Sequence, residues 1–329
     1  MKSLSLIFIG LLSFSVFASG VPSENFNPNK NDPAYVAQDK SQPIEQRIDA
    51  LESLRITPSQ NALIAIARAL KEDNERIQHA AIVGSDGLAL DYRWELISPF
   101  LDDTSPTLSY AATYSLAKMY PKLTTSMRHK LDLYIPKLEQ YYKLKHDAFS
   151  TFKLAEVYQA SGDTKKAITT YKSLIEEDSS NQAFWVGLSE SYRADSHTDK
   201  ALDVLNEGIL LNPNASQLYY ARALARVRND NKREALSDFK SAAVLAETNS
   251  YYWYLYAVAQ KGFDLEKSVP LFEHAYQLSG SAEQLYTLCS VYIKSNNTAA
   301  KSCLNELKPR VPQANYDALQ SELLHKTKR

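Results

Sequence analysis

The chain has 329 residues, a formal net charge of −1, 44% hydrophobic residues and two cysteines. Nucleic-acid binding requires a concentrated basic face, so this near-neutral balance argues against a nucleic-acid partner. The hydrophobic fraction is ample for a folded core, and the length is sufficient for two structural units.

The first residues have the pattern of a secretory signal peptide. Lys2 precedes an almost unbroken apolar run from Leu4 to Phe17, and small residues follow from Ala18 to Gly20. The run is about 14 residues long, whereas a membrane-spanning helix needs ~20, so a signal peptide is favoured over a membrane anchor. We predict a signal peptide over residues 1–18, with Gly20 as the alternative cleavage site, and export to the bacterial periplasm. No later segment is apolar over enough residues to span a membrane.

The segment 19–42 is rich in Pro, Asn, Ser, Asp and Lys and has few apolar residues. Such a segment buries too little surface to offset the entropy of ordering it. We therefore predict a flexible leader over residues 19–42.

Residues 43–146 have apolar residues at helical spacing, as at Ile44, Ile48 and Leu51. Three short segments of similar pattern recur about 30 residues apart, and the last two contain paired alanines. These segments are 47–51, 75–81 and 107–112. An aliphatic helix, a turn containing Asp and a helix with paired alanines together resemble a HEAT-type repeat. The resemblance implies HEAT-like helical repeats over 43–146, in which the pattern from Ser126 to Lys145 predicts one bridging helix.

Three alanines, Ala167, Ala201 and Ala235, recur at a spacing of 34 residues, each in a similar frame of aromatic and aliphatic residues. The frame is most complete in the second copy, at positions 4, 7, 8, 11, 20, 24, 27 and 32 of the period: Trp185, Leu188, Ser189, Tyr192, Ala201, Leu205, Gly208 and Pro213. This frame resembles the tetratricopeptide repeat, and we count about five copies over residues 147–312. The third copy departs from it, because Arg222 and Arg226 replace the apolar residues at positions 7 and 11.

The resemblance implies pairs of antiparallel helices that stack on one another, since a single pair cannot bury its apolar face. Polar clusters at 161–163, 229–231 and 295–297 predict the turns within pairs. Residues 313–329 are expected to form a C-terminal capping helix. The predicted fold class is therefore all-α, a two-part α-solenoid of HEAT-like helical repeats followed by about five tetratricopeptide repeats.

Both cysteines, Cys289 and Cys303, fall in the last repeat. In an exported protein an even cysteine count indicates a disulfide bond, and antiparallel packing of the two helices would bring these residues together. The alternative is a pair of small buried thiols at close-packed positions.

In tetratricopeptide repeats the first helix of each pair lines a concave groove, so the resemblance also implies a partner-binding face. The residues expected there are Phe152, Glu156, Val186, Glu190, Arg193, Tyr220, Leu224, Arg228, Tyr254, Val258, Lys261, Tyr286 and Lys294. Tyr and Arg are residue types that anchor protein interfaces. The alternative is that the aromatic residues pack between adjacent repeats and the charged residues form a solvated face.

The sequence contains no recognisable catalytic or metal-binding motif. The six histidines are scattered without metal-ligand spacing, and we expect no metal, no cofactor and no enzymatic activity. An exported chain with HEAT-like repeats followed by tetratricopeptide repeats resembles the C-terminal module of bacterial multihaem c-type cytochromes. The chain has no Cys-x-x-Cys-His, so it lacks their covalent haem site.

The function predicted from sequence is a non-catalytic exported scaffold or adaptor that binds a protein or peptide segment in the groove of its tetratricopeptide repeats. The alternative is a docking subunit or partner of a periplasmic redox complex that contains a cytochrome.

Overall fold

A computed structural model describes residues 32–327. The regular elements of this part of the chain are helices, and the chain divides into two compact units, residues 1–88 and 89–329. The prediction of an all-α repeat solenoid is confirmed. The predicted signal peptide and the leader up to residue 31 lie outside the described residues.

The described part of the first unit contains four α-helices: α1 (Pro33–Gln38), α2 (Ile44–Ser53), α3 (Gln60–Ala69) and α4 (Glu75–Gly84). The helix α1 occupies part of the segment predicted as a flexible leader, so the leader prediction does not hold for residues 33–38. The carboxylate of Asp32 accepts a hydrogen bond from the Ala34 amide and caps this helix. Burial of Ala34 and Ala37 then attaches α1 to α2 and α3.

A buried arginine connects three parts of the first unit. The Arg47 side chain on α2 is largely buried, and its Nε donates to the Ala37 carbonyl at 3.0 Å. Its two terminal nitrogens donate to the Glu72 carboxylate at 3.2 and 2.5 Å. Because the charge is paired and its donors are used, burial of Arg47 is tolerated, and the group ties α1 to the turn after α3.

The second unit begins with α5 (Leu90–Ile97), α6 (Pro106–Ala117), α7 (Thr125–Asp132) and α8 (Ile135–Lys145), with short 3₁₀ turns between some of them. The single bridging helix predicted over 126–145 is wrong, because this segment forms α7 and α8. Pro136 lies in the first turn of α8; a proline has no N–H to donate to the carbonyl of Asp132 four residues earlier, and in a continuous helix its ring would clash with that carbonyl. The helix therefore ends at Asp132 and a new one starts at Ile135.

Five helix pairs follow, as the 34-residue period predicts. They are α9 (Ala148–Ser161) with α10 (Thr164–Glu177), α11 (Gln182–Ala194) with α12 (Thr198–Leu211), α13 (Ser216–Arg228) with α14 (Lys232–Leu245), α15 (Ser250–Lys261) with α16 (Leu265–Ser279), and α17 (Ala282–Lys294) with α18 (Ala300–Leu307). The alanines that define the period, Ala167, Ala201 and Ala235, are buried. Small side chains at these positions let the two helices of a pair approach closely.

The turns within pairs share one backbone conformation. Gly162, Ser196, Asp230 and Asn296 stand at the same place in four of the five repeats, and each has a positive φ, between 54° and 85°. Residues with short or no side chains adopt this left-handed conformation, and it closes the first helix with a backbone hydrogen bond. In the fourth repeat the turn is one residue shorter, and Gly262 has ordinary right-handed backbone.

Two helices of the repeats approach closely at Gly187 on α11. A methyl group built there would stand 2.2 Å from Cζ of Tyr171, a fully buried ring on α10. We therefore expect Gly187→Ala to displace the ring and lower the free energy of unfolding by about 1–3 kcal/mol. Chemical unfolding followed by circular dichroism measures this change.

The matched control is Gly262→Ala, because Gly262 is exposed, has right-handed backbone and has only the Ala259 carbonyl nearby, at 3.3 Å. The control should unfold within about 0.5 kcal/mol of the wild type. Equal unfolding free energies for the two variants would show that α10 and α11 are not packed as described.

The last pair is covered by α19 (Gln313–Thr327), which contacts α17 and α18. Tyr316 and Leu319 of this helix are buried in a cluster with the apolar residues of α17 and α18. The Cys289–Cys303 disulfide lies in the same cluster and joins α17 to α18, with the two Cα atoms 5.5 Å apart. The end of the solenoid is thus closed by a helix and by a covalent bond.

Candidate functional site

The residues predicted to line the groove all lie on the first helices of the pairs. They are Phe152 and Glu156 on α9, Val186, Glu190 and Arg193 on α11, Tyr220, Leu224 and Arg228 on α13, Tyr254, Val258 and Lys261 on α15, and Tyr286 and Lys294 on α17. Successive first helices contact one another, as α9 does α11 and α11 does α13. These side chains therefore have neighbours from the next repeat, and their contacts differ along the array.

At the start of the array the predicted residues are engaged within the protein. The Phe152 ring packs against Tyr171 and Phe184, with ring centres 6.2 and 5.4 Å apart. The Glu156 carboxylate accepts a hydrogen bond from the Tyr114 hydroxyl on α6. At this end of the array, the predicted groove residues therefore pack between helices, which is the alternative to a binding surface.

Three charged residues of α11 and α13 pair with one another. Glu190 accepts a hydrogen bond from Arg193 on its own helix at 2.6 Å and from Arg228 on α13 at 2.9 Å. Burial of the Glu190 carboxyl would raise its pKa, but the hydrogen bonds from Arg193 and Arg228 outweigh burial and hold the pKa below its ordinary value. Glu190, Arg193 and Arg228 thus form one ion-pair network that joins α11 to α13.

Tyr220 on α13 belongs to a cluster of tyrosines. Its ring stacks on Tyr252 with centres 5.0 Å apart and meets the edge of Tyr251 at 6.2 Å, both on α15. Burial, followed by the nearby Tyr251 hydroxyl, raises the pKa of Tyr220 to about 12. Tyr251 itself is half exposed, and sequence reasoning passed over it although it stands at position 2 of its repeat, an inward-facing position in tetratricopeptide repeats.

At the end of the array the basic residues remain without acidic partners. Lys261 on α15 is half-buried, and its ammonium lies 5.9 Å from the centre of the Phe272 ring. Burial, and then the positive charge of Lys294 on α17, lower the pKa of Lys261. Neither lysine forms an ion pair within residues 32–327. Lys326 of α19 adds a third ammonium, which donates to the Lys294 carbonyl at 2.7 Å.

Apolar side chains flank these lysines. Val258 is 38% exposed on α15, while Tyr254 and Tyr286 pack partly against the cluster of the last pair. Tyr254 meets the edge of Phe272 with ring centres 5.8 Å apart. The first-helix face of the last two pairs therefore combines unpaired positive charge with partly exposed aromatic and aliphatic surface.

A buried ion-pair cluster explains the unusual arginines of the third repeat. Asp238 on α14 is only 2% exposed and accepts hydrogen bonds from two nitrogens of Arg222, at 2.9 and 2.8 Å. Arg226 adds a third bond to the same carboxylate at 2.6 Å. Arg222 also donates to Asn206 on α12 at 2.8 Å, so the cluster connects three helices.

Two clefts lie between second helices of neighbouring pairs. One, of about 460 Å³, is bounded by α10 and α12 above α11, and the other, of about 310 Å³, by α16 and α18 above α17. Trp185, Leu188 and Tyr192 line the first cleft, and Leu285, Leu288 and Tyr292 stand at the same repeat positions in the second.

Within residues 32–327, no group of three or more His, Cys, Asp or Glu side chains is placed to hold a metal ion. In the same part of the chain, no helix has the length and apolar composition needed to cross a bilayer.

The fold defines the class of protein as an all-α repeat solenoid. Residues 158–227 match the family model described as tetratricopeptide repeat. No curated protein matches the chain by sequence. The family match supports a tetratricopeptide repeat protein.

Three crystal structures illustrate the structural similarity. Yeast Tom70 has a TM-score of 0.57 at 10% identity, covering 94% of this chain and 67% of that one. MamA has a TM-score of 0.40 at 16% identity, covering 54% of this chain and 98% of that one. YrrB, described as a TPR protein with an unusual peptide-binding site, has a TM-score of 0.41 at 18% identity, covering 58% and 98%. At these identities the likeness concerns the fold alone.

Proposed function

We propose that the protein is a non-catalytic, exported scaffold that binds a protein or peptide segment on the first helices of its tetratricopeptide repeats. The observation that carries this proposal is the pair Lys261 and Lys294, which lie close together and have no acidic partner among residues 32–327. A lone positive charge near apolar surface is stabilised by an anionic partner that also covers that surface.

The contacts divide the predicted groove into two parts. Phe152, Glu156, Glu190 and Tyr220 have partners within the protein, so they position helices. Tyr254, Val258, Lys261, Tyr286 and Lys294 supply the binding surface in this proposal. The expected ligand is a peptide segment with acidic groups next to apolar side chains.

Export to the bacterial periplasm is part of the proposal. The sequence pattern of residues 1–18 supports it, as does the disulfide between Cys289 and Cys303, because disulfides persist in oxidising compartments and are rare in the cytosol.

The HEAT-like character of residues 43–146 also belongs to the proposal. The residues that precede α2, α4 and α6 are Pro43, Asn74 and Ser105, which recur at a spacing of 31 residues. This regularity supports the HEAT-like pattern. The alternative role, a docking partner of a periplasmic cytochrome complex, rests on the resemblance of that pattern to a cytochrome module, and it predicts that haem-containing proteins co-purify with the native chain.

We expect Lys261→Gln combined with Lys294→Gln to weaken acidic-peptide binding about tenfold or more, which corresponds to ~1.4 kcal/mol. Each charge-assisted hydrogen bond to a carboxylate contributes on this scale. The measurement is calorimetric titration of peptides selected from a random display library on the wild-type protein. Because the pKa of Lys261 is lowered, Lys261 loses its charge at a lower pH than an ordinary lysine does. The wild-type affinity for an acidic peptide should therefore begin to fall at that lower pH.

The control is Lys240→Gln combined with Lys301→Gln, which removes the same charge from exposed positions on second helices. Its affinity should stay within a factor of two of the wild type if the lysine pair acts locally. If both double variants lost the same peptide affinity, the loss would come from the change in net charge and not from this surface. Selection of peptides without acidic groups would contradict the proposed ligand.

A further inference from the structure

The corner between α8 and α9, residues 143–149, protrudes from the second unit. All seven of its residues are exposed. Two of them are large and apolar: Leu144 is 69% exposed and Phe149 is 66% exposed. Lys143, Lys145 and His146 lie beside and between them in the chain. The α8–α9 corner therefore places two apolar side chains, five residues apart, among basic ones.

The exposed face of α8 extends this surface. Lys137, Gln140 and Leu144 follow one another at spacings of three and four residues, so they lie along one face of the helix, and all three are exposed. Lys145 is exposed beside this face, and its ammonium lies 5.0 Å from the centre of the Tyr141 ring. Neither Lys137 nor Lys145 forms an ion pair within residues 32–327.

The acidic residues of α8 and of the corner are engaged by the protein. Glu139, the acid of α8, pairs with Lys143 at 2.6 Å and with Lys166 at 3.7 Å. Asp147 accepts hydrogen bonds at 2.8 Å from both the amide and the hydroxyl of Ser150, and it caps α9 in this way. The lysines of this surface are thus not neutralised by the acids nearest to them in the chain.

The surrounding segment has the same excess of positive charge. Residues 118–172 contain eleven lysines and arginines against five acids, a formal net charge of +6, although the whole chain has −1. Two more of these acids accept hydrogen bonds from tyrosines, Asp132 from Tyr120 and Glu156 from Tyr114. A surface of this sign attracts an anionic partner and repels a cationic one.

Aromatic rings adjoin the corner. The Lys153 ammonium lies 4.4 Å from the ring centre of Phe149, 4.8 Å from that of Tyr114 and 5.9 Å from that of Tyr142. Phe149 is therefore held next to a positive charge. Tyrosine is enriched where an apolar layer meets water, because its ring is apolar and its hydroxyl is polar.

The next corner of the array has the opposite charge. Between α10 and α11 the chain exposes Glu177 and Asp178, where the α8–α9 corner has lysines and a histidine. An anionic surface would repel those acids. A partner attracted to the α8–α9 corner would therefore contact the start of the array and not the second repeat.

We propose that the α8–α9 corner and the adjoining face of α8 dock the protein onto a bilayer that contains anionic phospholipid. Leu144 and Phe149 enter the headgroup region, while Lys137 and Lys145 contact lipid phosphates. A bilayer fits because these apolar side chains protrude and can enter a deformable layer, whereas a protein partner would need a matching cavity. The surface uses no residue of the first-helix lysine pair, so either site can fail a test without the other.

The test is co-sedimentation with vesicles of phosphatidylcholine that contain about 30% phosphatidylglycerol, and in parallel with vesicles of phosphatidylcholine alone. The chain is used from Ser19 onward, since an uncleaved apolar run at its start would bind vesicles by itself. We expect binding to the anionic vesicles to be about tenfold tighter or more, and to weaken as salt screens the charges.

Two double variants separate charge from insertion. Lys137→Gln combined with Lys145→Gln should weaken binding to the anionic vesicles about tenfold or more, because each lysine near such a surface contributes to the attraction. Leu144→Ser combined with Phe149→Ser should weaken it to a similar extent, since it removes the inserted apolar area and leaves every charge in place.

The matched controls make the same substitutions at exposed positions elsewhere. They are Lys240→Gln combined with Lys301→Gln, and Leu210→Ser combined with Phe263→Ser. Both should bind anionic vesicles within a factor of two of the unsubstituted chain, and circular dichroism confirms that each variant is folded.

Three results would overturn the proposal. The first is no binding to anionic vesicles, or equal binding to both kinds of vesicle. The second is a loss in a control as large as in the variant that it matches. The third is a loss in the lysine variant with none in the Leu144 and Phe149 variant, which would mean that the protein is attracted by charge without docking through this corner.

Discussion

Asp238→Ala is expected to lower the free energy of unfolding by about 3–5 kcal/mol, the range observed when one partner of a buried ion pair is removed. The carboxylate accepts three hydrogen bonds from Arg222 and Arg226 and is almost completely buried. Without it two guanidinium groups face each other with little access to water. Urea unfolding followed by circular dichroism and by fluorescence of Trp185 and Trp253, on the repeats either side, measures the loss.

The second repeat provides an apolar version of the same cluster. Its residues at the positions of Arg222, Arg226 and Asp238 are Leu188, Tyr192 and Val204. The triple variant Arg222→Leu, Arg226→Tyr and Asp238→Val should therefore unfold near the wild-type denaturant concentration or above it, since apolar replacements of buried ion pairs are often neutral or stabilising. Asp203→Asn, at an exposed position of α12, should change stability by less than about 0.5 kcal/mol.

A loss in the triple variant as large as that of Asp238→Ala would contradict this account. It would mean that the ion-pair cluster stabilises the fold more than apolar residues at the same positions do. In the present account its hydrogen bonds only offset the cost of burying the three charges. A neutral Asp238→Ala would show instead that the carboxylate is not buried between the two arginines.

The sequence was sufficient for the repeat architecture because the relevant signals are local. The buried alanines recur at a fixed spacing, and Gly162, Asp230 and Asn296, which have positive φ, lie in the three predicted polar turns. Helix pairs and turns depend on residues close together in the chain, so a single sequence contains enough information to place them.

The arginine cluster required the structure. Arg222 and Arg226 were recognisable as departures from the repeat, but their partner Asp238 lies on the next helix, 16 and 12 residues further on. Nothing in the sequence marks that acid among the other charged residues. The same applies to Glu190, whose partner Arg228 is 38 residues away.

The candidate groove shows the same limit. A repeat position predicts which helix face a residue occupies, and the thirteen predicted residues do lie on the first helices. It does not predict whether the neighbour in the next repeat fills the adjacent space. Tyr220 stacks on Tyr252 of the following first helix, whereas Val258 is 38% exposed.

Loss of the disulfide between Cys289 and Cys303 is the second large effect that we expect. The bond closes a loop with a sequence separation of 14 residues, and a loop of this length contributes about 3 kcal/mol, mainly by restricting the unfolded chain. The helix α18 has only eight residues, against 14 or 15 in the other second helices, so it has fewer packing contacts of its own. Reduction should therefore unfold the last pair together with α19 before the rest of the repeats.

The measurement is hydrogen exchange of the last pair in oxidised and reduced protein, with Cys289→Ala combined with Cys303→Ala as the genetic counterpart. Reductant should speed hydrogen exchange of the last pair in the wild type and should leave the exchange of the double variant unchanged. Thiol titration of unreduced, denatured protein from the native source tests the proposed compartment at the same time, with no free thiol and an amino terminus at Ser19 or Val21 expected. Two free thiols, or a chain that retains Met1, would contradict export, because an oxidising compartment both forms this bond and removes the signal peptide.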